Sequence, residues 1–286
     1  MRLRLSLVQD APVQGDIQAT LTQMGAYAAR AGRKGIGADL LVFPELYVTG
    51  YFPNLWERRP TPADELDWID RVQKMARDEG LWIVFGHPSY RAQTLEYGRT
   101  RYGRDIPGDG IHLPLYNSVS LVSPAGLRET YAKVHLYGSE RDCFTPGDLF
   151  PVWDTPWGKV GVQICFDVEF PEGPRLAALG GAKLLLFPAS NPAPYGEWHG
   201  IYTAARGLEN RVFAATVNRL GAELTYSFCG GSCVIHPKGA WLVPPSERPG
   251  LYSCDIDFSE LEQIDPSIDY LRLRRPDLYQ GLDRAM

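Results

Sequence analysis

Three segments of the sequence each place a reactive side chain at the end of an apolar run. They are LLVFPELYVTGY with Glu45, ETYAKVHLYGSERDCFTPGD with Lys133 and Glu140, and VGVQICFDVEFPE with Cys165. A cysteine becomes a good nucleophile when a base takes its proton, and a carboxylate can serve as that base. Open α/β sheets place their chemistry at the carboxyl ends of strands, so these positions are candidates for a catalytic site.

Each of these residues also has an ordinary structural explanation. Free cysteine is among the most buried residue types, so Cys165 can be one more packed thiol. A Pro-Glu pair such as the one ending in Glu45 often closes a strand with a solvated charge, and a lysine after a strand is usually exposed. Position alone leaves both interpretations open.

The elements that must position these residues are short strands alternating with helices. Residues 160–164 are predicted as a buried strand, and Pro171 can open a helix after Cys165. Residues 16–35 and 61–80 carry apolar positions at helical spacing and end in Gly, and the second segment opens with Thr-Pro-x-Asp. Pro-x-Gly turns predict hairpins in LVSPAGLRETYAKV and CVIHPKGAWLVPP.

This mixture predicts a mixed sheet or a pair of sheets with helices on the outer faces. No linker divides the chain, so residues 1–286 are predicted to form a single domain. The Arg-rich segment 90–113 is predicted to be a loop that is either functional or disordered and that could close over the mouth of the site. The amphipathic tail, about residues 258–286, is expected to pack on a neighbouring subunit or across the domain.

The composition predicts a globular protein with a small-molecule partner. The chain has 286 residues, 44% of them hydrophobic, and a net charge of −5, which provides no basic surface for nucleic acid. The first apolar stretch meets Asp10 too early for a signal peptide, and no apolar run approaches a membrane span. We therefore expect a cytoplasmic protein whose five cysteines are reduced.

The sequence predicts neither a metal nor a cofactor. Cys229 and Cys233 form one pair with only His236 close by, whereas zinc sites usually have two cysteine pairs or suitably spaced histidines. The Gly-Gly pairs at 180–181 and 230–231 lack the strand, spacing and helix of a phosphate-binding loop or a dinucleotide fingerprint.

Taken together, the motifs resemble those of the carbon–nitrogen hydrolase, or nitrilase, superfamily. The resemblance rests on FPE before TGY, on AKVHL before a glutamate and FTPGD, and on VGVQICFDVEFPE, and it continues through LENRVFAATVNR and SCVIHPKG. It implies an α/β fold, the four-layer α-β-β-α sandwich, which commonly pairs through its helical faces. We therefore expect a homodimer or a larger homo-oligomer.

The resemblance also implies a Cys-Glu-Lys catalytic set formed by Cys165, Glu45 and Lys133. Cys165 is then the nucleophile, and Glu45 takes its proton and passes it to the departing ammonia. The Lys133 ammonium and the backbone N–H of Phe166 are expected to stabilise the oxyanion. Glu140 matches a second glutamate of many family members, and we expect it to orient Lys133 or the substrate nitrogen.

Histidine is the alternative base, because cysteine–histidine pairs are common in thiol hydrolases. His135 follows Lys133 on what is predicted as the same strand, and it is expected to organise the loop after Lys133. No spacing assigns the base to any one of the five histidines. They are His87, His112, His135, His199 and His236.

The residues after Cys165 favour an amide substrate. Nitrilases proper typically follow the nucleophile with Trp-Glu, whereas Phe-Asp here is closer to the Tyr-Asp of amidase branches. Many carbamoyl-amino-acid hydrolases carry an arginine where this chain has Val168 and Glu169. Glu169 would repel a carboxylate and attract an amine, which predicts a small neutral or amine-bearing carboxamide such as an amino-acid amide. Alternatively, Glu169 forms a structural ion pair with an arginine such as Arg175.

Other strand ends are predicted to shape the substrate pocket. Tyr51 and Phe52 follow Glu45 closely, and Ser190 and Asn191 follow the predicted strand KLLLFP. Two alternatives remain. One is an enzyme of the same fold that acts on nitriles or N-carbamoyl amines, and the other is a non-enzymatic binding or assembly module, against which the intact catalytic set argues.

Overall fold

The computed structural model describes residues 1–90, 93–96, 99–102 and 113–283. Its strands are β1 (Arg2–Gln9), β2 (Leu40–Val42), β3 (Trp82–Ser89), β4 (Gln93–Glu96), β5 (Arg99–Tyr102), β6 (Tyr116–Val122), β7 (Arg128–Ala132), β8 (Val152–Thr155), β9 (Gly158–Val162), β10 (Leu184–Ala189), β11 (Phe213–Asn218), β12 (Leu220–Glu223), β13 (Tyr226–Cys229), β14 (Cys233–Ile235), β15 (Trp241–Val243) and β16 (Gly250–Asp257). The α-helices are α1 (Ile17–Ala31), α2 (Pro62–Glu79), α3 (Glu172–Leu179) and α4 (Gly196–Asn210).

Two six-stranded mixed sheets form the centre of the fold. The strand order is β16-β1-β2-β3-β6-β7 in the first sheet and β15-β14-β11-β10-β9-β8 in the second. In the first sheet β1, β2 and β3 are parallel, and β7 regains their direction because it pairs antiparallel with β6, which is itself antiparallel to β3. In the second sheet β9, β10 and β11 are parallel. The predicted pair of sheets and both predicted hairpins are confirmed.

The apolar side chains separate into layers that explain the stacking. One buried cluster lies between the sheets and includes Leu5, Val119, Leu186 and Val217. A second cluster packs α1 and α2 on the first sheet, and a third packs α3 and α4 on the second. A strand that is buried on both faces needs a continuous apolar run, which is what the central strands have. The four-layer α-β-β-α sandwich is thus confirmed.

The start of α2 confirms the helix signal in the sequence. The Thr61 side chain accepts the Asp64 backbone N–H, and the Asp64 carboxylate accepts the Thr61 backbone N–H in return. This reciprocal cap satisfies two backbone donors that have no partner inside the helix. The helix ends at Gly80, whose φ of 70° suits glycine.

The strand that leads to Cys165 differs at its ends from the prediction of residues 160–164. It spans Gly158–Val162, because the backbone N–H of Ile164 leaves the sheet and donates to the Asp167 carboxylate at 2.9 Å. The chain then enters a 3₁₀ turn over Cys165–Glu169, and α3 begins directly after Pro171 as predicted.

Two segments were predicted mainly from composition. The Arg-rich segment 90–113 is not entirely a loop as predicted, because β4 and β5 within it pair as antiparallel strands. Residues 91–92, 97–98 and 103–112, including His112, lie outside the described residues. Within the tail, residues 258–283 form short 3₁₀ turns, and Arg211 after α4 donates to the Ile264 carbonyl at 3.0 Å. Closure of the Arg-rich segment over a site, a single domain spanning 1–286 and a tail that reaches a neighbour all stay predictions.

No helix in the described part of the chain is long and apolar enough to span a membrane.

Candidate active site

The sheet topology brings the three reactive side chains to one place. Glu45 follows β2, Lys133 follows β7 and Cys165 follows β9, and each lies just beyond the carboxyl end of its strand. Several hydrogen bonds join the ends of the two sheets. The Ser190 backbone N–H after β10 donates to Glu45, and the His135 backbone N–H donates to the carboxylate of Asp167 in the turn that carries Cys165.

Lys133 lies between two buried carboxylates. Its Nζ donates to Glu45 Oε1 at 2.7 Å and to Glu140 Oε1 at 2.8 Å. All three side chains are almost fully buried, with exposures of 0% for Lys133 and Glu45 and 3% for Glu140. The Tyr51 hydroxyl also donates to Glu140 Oε1, at 2.5 Å. Glu140 therefore contacts the Lys133 ammonium directly, and the role of orienting Lys133 that the sequence predicts for it stays a prediction.

Glu45 is held rigidly by its remaining contacts. Asn117 Nδ2 donates to Glu45 Oε1 at 2.7 Å, and the Ser190 backbone N–H donates to Glu45 Oε2 at 2.7 Å. The Ser190 hydroxyl donates to the Glu45 carbonyl at 2.9 Å. Gly86 of β3 passes so close that a Cβ there would lie 2.3 Å from the Leu46 backbone nitrogen. Sequence reasoning missed Asn117 and Gly86, because neither belongs to a motif with a reactive side chain.

Cys165 occupies a strained position at the head of its 3₁₀ turn. Its φ is 45°, in the left-handed region that residues other than glycine seldom adopt. Such outliers concentrate at active sites, where the surrounding structure must hold them. The next residue, Phe166, is near the start of the turn, where a backbone N–H has no acceptor within the turn itself.

The electrostatics of the cluster favour a protonated thiol and a charged lysine. Burial raises the pKa of the Cys165 thiol well above its usual value, and the nearby Glu45 carboxylate raises it further. Burial opposes the charge on Lys133, but Glu140 and Glu45 outweigh it and raise the pKa of the ammonium well above its usual range. Burial also raises the pKa of Glu140, although Lys133 acts against that shift. Cys165 therefore needs a base before it can attack.

A cavity of about 300 Å³ opens onto Cys165. All the predicted pocket residues except Phe52, namely Tyr51, Phe166, Glu169, Ser190 and Asn191, line it together with aromatic and other side chains that were not predicted. These additional residues are Tyr137, Pro192, Tyr195, Trp198 and His199. The aromatic rings among them come from Tyr137, which lies between Lys133 and Glu140, and from Tyr195 and Trp198 at the start of α4, where the sequence contains no catalytic motif.

Glu169 faces this cavity beside His199. Its Oε1 lies 3.6 Å from His199 Nε2, and its side chain is 23% exposed. The alternative partner, Arg175, instead lies 3.9 Å from the Glu209 carboxylate and donates to the Glu209 carbonyl. The pairing of Glu169 with Arg175 is therefore wrong, because Arg175 points along α3 toward the end of α4.

The histidines in the described residues are placed for structural contacts. His135 lies beyond the end of β7, donates its backbone N–H to Asp167 and stacks on Phe170 with 3.8 Å between ring centroids. It organises the loop after Lys133 as predicted, although it is not on the strand. His87 contacts Ser120, and His236 contacts Glu260. His199 is the one described histidine that lines the Cys165 cavity.

Among the described residues, no group of three or more His, Cys, Asp or Glu side chains is arranged to hold a metal ion. Cys233 is buried in β14, and Cys229 Sγ contacts the Asn191 carbonyl at 3.4 Å.

The fold and this cluster define an α/β protein of the nitrilase superfamily. The model of the carbon–nitrogen hydrolase family matches residues 4–265, and the chain belongs to that family. A solved mutant of the Nesterenkonia AN1 amidase has a TM-score of 0.81 and 30% identity, covering 98% of this chain and 97% of that chain. The sequence-based assignment of the family and its amidase-like character are confirmed.

Two other relatives are named for different activities, one as an amidase and one as a nitrilase. The chain is 31% identical to an (R)-stereoselective amidase of Pseudomonas sp, over 96% of this chain and 92% of that protein. It is 35% identical to a nitrilase of Pyrococcus abyssi, over 85% of this chain and 87% of that protein. Solved forms of the Nesterenkonia amidase contain acrylamide or butyramide, and one carries the acetamide moiety of fluoroacetamide on its active-site cysteine.

Proposed function

We propose that this protein hydrolyses a small carboxamide to the carboxylic acid and ammonia through a thioester on Cys165. The observation that carries the proposal is the cavity of about 300 Å³, which opens onto a thiol placed beside the buried Glu45, Lys133 and Glu140. A cavity of this size suits a small ligand. The bound amides of the Nesterenkonia structures support the same class of substrate.

The first half-reaction forms the thioester. Glu45 takes the thiol proton, the Cys165 sulfur attacks the carbonyl carbon, and the carbonyl electron pair moves to oxygen. Lys133 Nζ and the Phe166 N–H donate to this oxyanion. When the oxyanion collapses, the carbon–nitrogen bond breaks, and Glu45 returns the proton to the leaving nitrogen, which departs as ammonia.

The second half-reaction restores the enzyme. Glu45 takes a proton from water, and the resulting hydroxide attacks the thioester carbonyl while the same donors hold the oxyanion. The carbon–sulfur bond then breaks, the proton returns to the thiolate, and the acid leaves. No redox step or external co-reactant other than water is needed.

The hydrogen bonds around Glu45 indicate which of its oxygens does this work. Oε1 accepts from both Lys133 and Asn117, whereas Oε2 accepts only the Ser190 N–H among the contacts of the described residues. A carboxylate oxygen has two lone pairs, so Oε2 retains one for the Cys165 proton. The Ser190 N–H is also a hydrogen-bond neighbour of the Cys165 sulfur.

The experiment that tests this function is a substrate panel. Ammonia and acid release is measured with carboxamides, nitriles and N-carbamoyl amines, with carbon dioxide measured as well, because only the carbamoyl compounds yield it. We expect turnover of small amides. Turnover of nitriles alone, which the similarity to a named nitrilase makes the second candidate, would overturn the substrate class, as would turnover of N-carbamoyl amines alone. If no class of compound were turned over, a non-enzymatic binding module would be the remaining alternative.

We also propose that Glu169 selects substrates that carry an amine. Its carboxylate shares the cavity wall with the rings of Tyr137, Tyr195 and Trp198. A carboxylate beside aromatic faces is a favourable environment for an ammonium group. The substrate would then be a carboxamide with a nearby protonated amine, such as an amino-acid amide.

Replacing Glu169 by Gln is expected to lower kcat/KM for amine-bearing amides about tenfold while changing that for neutral amides little, because one charge-assisted contact is lost. The matched control is Glu197→Gln, which removes the same charge from an exposed position of α4 that does not line the cavity. An unchanged ratio of kcat/KM between amine-bearing and neutral amides in Glu169→Gln would remove Glu169 from this role.

We further propose that two copies pair through α3, α4 and the tail, about residues 258–286. Leu179 of α3, Ile201 of α4 and Leu278 of the tail are large apolar side chains that are 47%, 66% and 68% exposed. Exposed apolar surface of this kind is typical of contact sites between proteins. Sedimentation equilibrium is expected to give a dimer or larger species, and Ile201→Asp is expected to dissociate it. Leu127→Asp, at an exposed hairpin position elsewhere, is the control. A monomeric parent protein would contradict the proposal.

A further inference from the structure

A third buried carboxylate lies two residues after the nucleophile, and the proposed reaction does not use it. Asp167 is fully buried in the turn that carries Cys165. Its Oδ1 accepts the backbone N–H of His135 at 2.9 Å and lies 2.8 Å from His135 Nδ1. Its Oδ2 accepts the Tyr131 hydroxyl at 2.7 Å and the Ile164 backbone N–H at 2.9 Å.

These contacts come from both sides of the site. Ile164 directly precedes Cys165, whereas Tyr131 and His135 flank Lys133 at a distance of two residues on either side. Asp167 therefore connects the turn that holds the sulfur to the strand end that holds the ammonium. The turn also needs such support, because the left-handed backbone of Cys165 is strained and persists only when surrounding contacts hold it.

We propose that Asp167 is a positioning residue that sets the distance between the Cys165 nucleophile and the oxyanion donors Lys133 and Phe166. It touches neither the substrate nor the reacting atoms and acts through the turn. The expected effect on kcat rests on the proposed function. The expected shift of the turn rests on the hydrogen bonds of Asp167 alone.

Asparagine at this position cannot reproduce the contacts. One oxygen of the carboxylate accepts the His135 backbone N–H, and the other accepts the Ile164 backbone N–H. In either orientation, the asparagine NH₂ group would face one of these backbone donors, and two donors cannot bond each other. The turn must then shift, and a displacement of about 1 Å at a catalytic group can cost about 100-fold in rate.

The test compares Asp167→Asn with the parent protein by steady-state kinetics on an amide. We expect kcat to fall about 100-fold with a change in KM of less than about threefold, because the cavity wall is kept and the alignment is lost. The matched control is Glu65→Gln. Glu65 is another buried carboxylate, which accepts the Ser89 hydroxyl and the Tyr90 backbone N–H outside the cavity.

A second readout does not depend on turnover. Alkylation by iodoacetamide is followed at Cys165 by peptide mass spectrometry, with the exposed Cys143 in the same protein as the reference. We expect the ratio of Cys165 to Cys143 alkylation rates to fall at least about tenfold in Asp167→Asn and to stay unchanged in Glu65→Gln. If the parent protein turned over no amide, the proposed function would fail, but this ratio would still test the positioning role.

If Asp167→Asn does not fold, Tyr131→Phe tests the positioning role instead, because it removes one hydrogen-bond donor to Asp167 and adds no volume. It is expected to lower kcat severalfold at constant KM. Parental kcat and alkylation in a folded Asp167→Asn, or in Tyr131→Phe when the first variant is unfolded, would overturn the proposal. So would a loss of kcat no larger than that in Glu65→Gln.

Discussion

Cys165→Ala is expected to abolish amide hydrolysis and to leave the fold in place. The substitution removes the sulfur on which the proposed thioester forms, and the remaining groups have no atom to acylate. Loss of a nucleophile that works with a base and an oxyanion site costs at least about 10⁴-fold in kcat, because these groups act as a unit. Ammonia release together with the melting temperature measures both parts of this prediction.

Cys165→Ser sharpens the same test, because it keeps the size of the side chain. Burial and the Glu45 carboxylate already raise the pKa of the Cys165 thiol, so deprotonation is demanding even for sulfur. A serine hydroxyl is far less acidic than a thiol, and a carboxylate base activates it poorly. We therefore expect nearly complete inactivity in this variant as well.

Each outcome for these variants has a definite meaning. Substantial turnover in folded Cys165→Ala or Cys165→Ser would remove Cys165 from the role of nucleophile. The matched control is Cys254→Ala, in a half-buried cysteine of β16 that pairs with Leu5 of β1 and does not line the cavity. We expect parental activity in that control, since it tests only the general effect of losing a thiol.

The layers of the fold and the convergence of the reactive groups follow from local sequence patterns. Apolar runs such as LLLFPA predict strands that are buried on both faces, and the cap at Thr61 predicts the start of a helix. The motifs around Glu45, Lys133 and Cys165 each sit at a strand end. Parallel strands place their ends at one edge of a sheet, so a shared site is the natural expectation.

Contacts between distant segments could not be predicted in the same way. Asn117 lies inside β6 and reads as an ordinary strand residue, yet its amide holds Glu45, 72 positions away. Likewise, the sequence offers Arg175 as a neighbour for Glu169, but the orientation of α3 turns it away, and α4 supplies His199 instead. Such pairings depend on the rotation of each helix on its sheet, which local patterns do not fix.

Lys133→Ala is expected to lower kcat by at least about 10² to 10³-fold, the cost of losing one oxyanion donor. The structure gives a reason to expect more than that. Glu45 and Glu140 each contact the Lys133 ammonium and are both buried, so its removal leaves two carboxylates without their cation. One of them then takes up a proton, because two buried like charges in close proximity cannot both ionise.

This second effect has its own signature in the stability of the variant. A buried carboxyl with a raised pKa binds a proton more tightly in the folded than in the unfolded protein, so its contribution to stability falls as the pH rises. Between about pH 6 and about pH 8, the free energy of unfolding of Lys133→Ala is therefore expected to decrease more than that of the parent protein. The size-matched Lys133→Met should share this behaviour, whereas Lys183→Ala, at an exposed site, should not.

The two measurements separate the roles of the ammonium. A loss of activity with no pH-dependent loss of stability would mean that Lys133 serves the oxyanion and that another group neutralises the two carboxylates. A pH-dependent loss of stability with parental kcat at the pH of best folding would mean that Lys133 only neutralises Glu45 and Glu140. Since its Nζ contacts both carboxylates and its loop contacts the turn of Cys165 through Asp167, we expect both effects together.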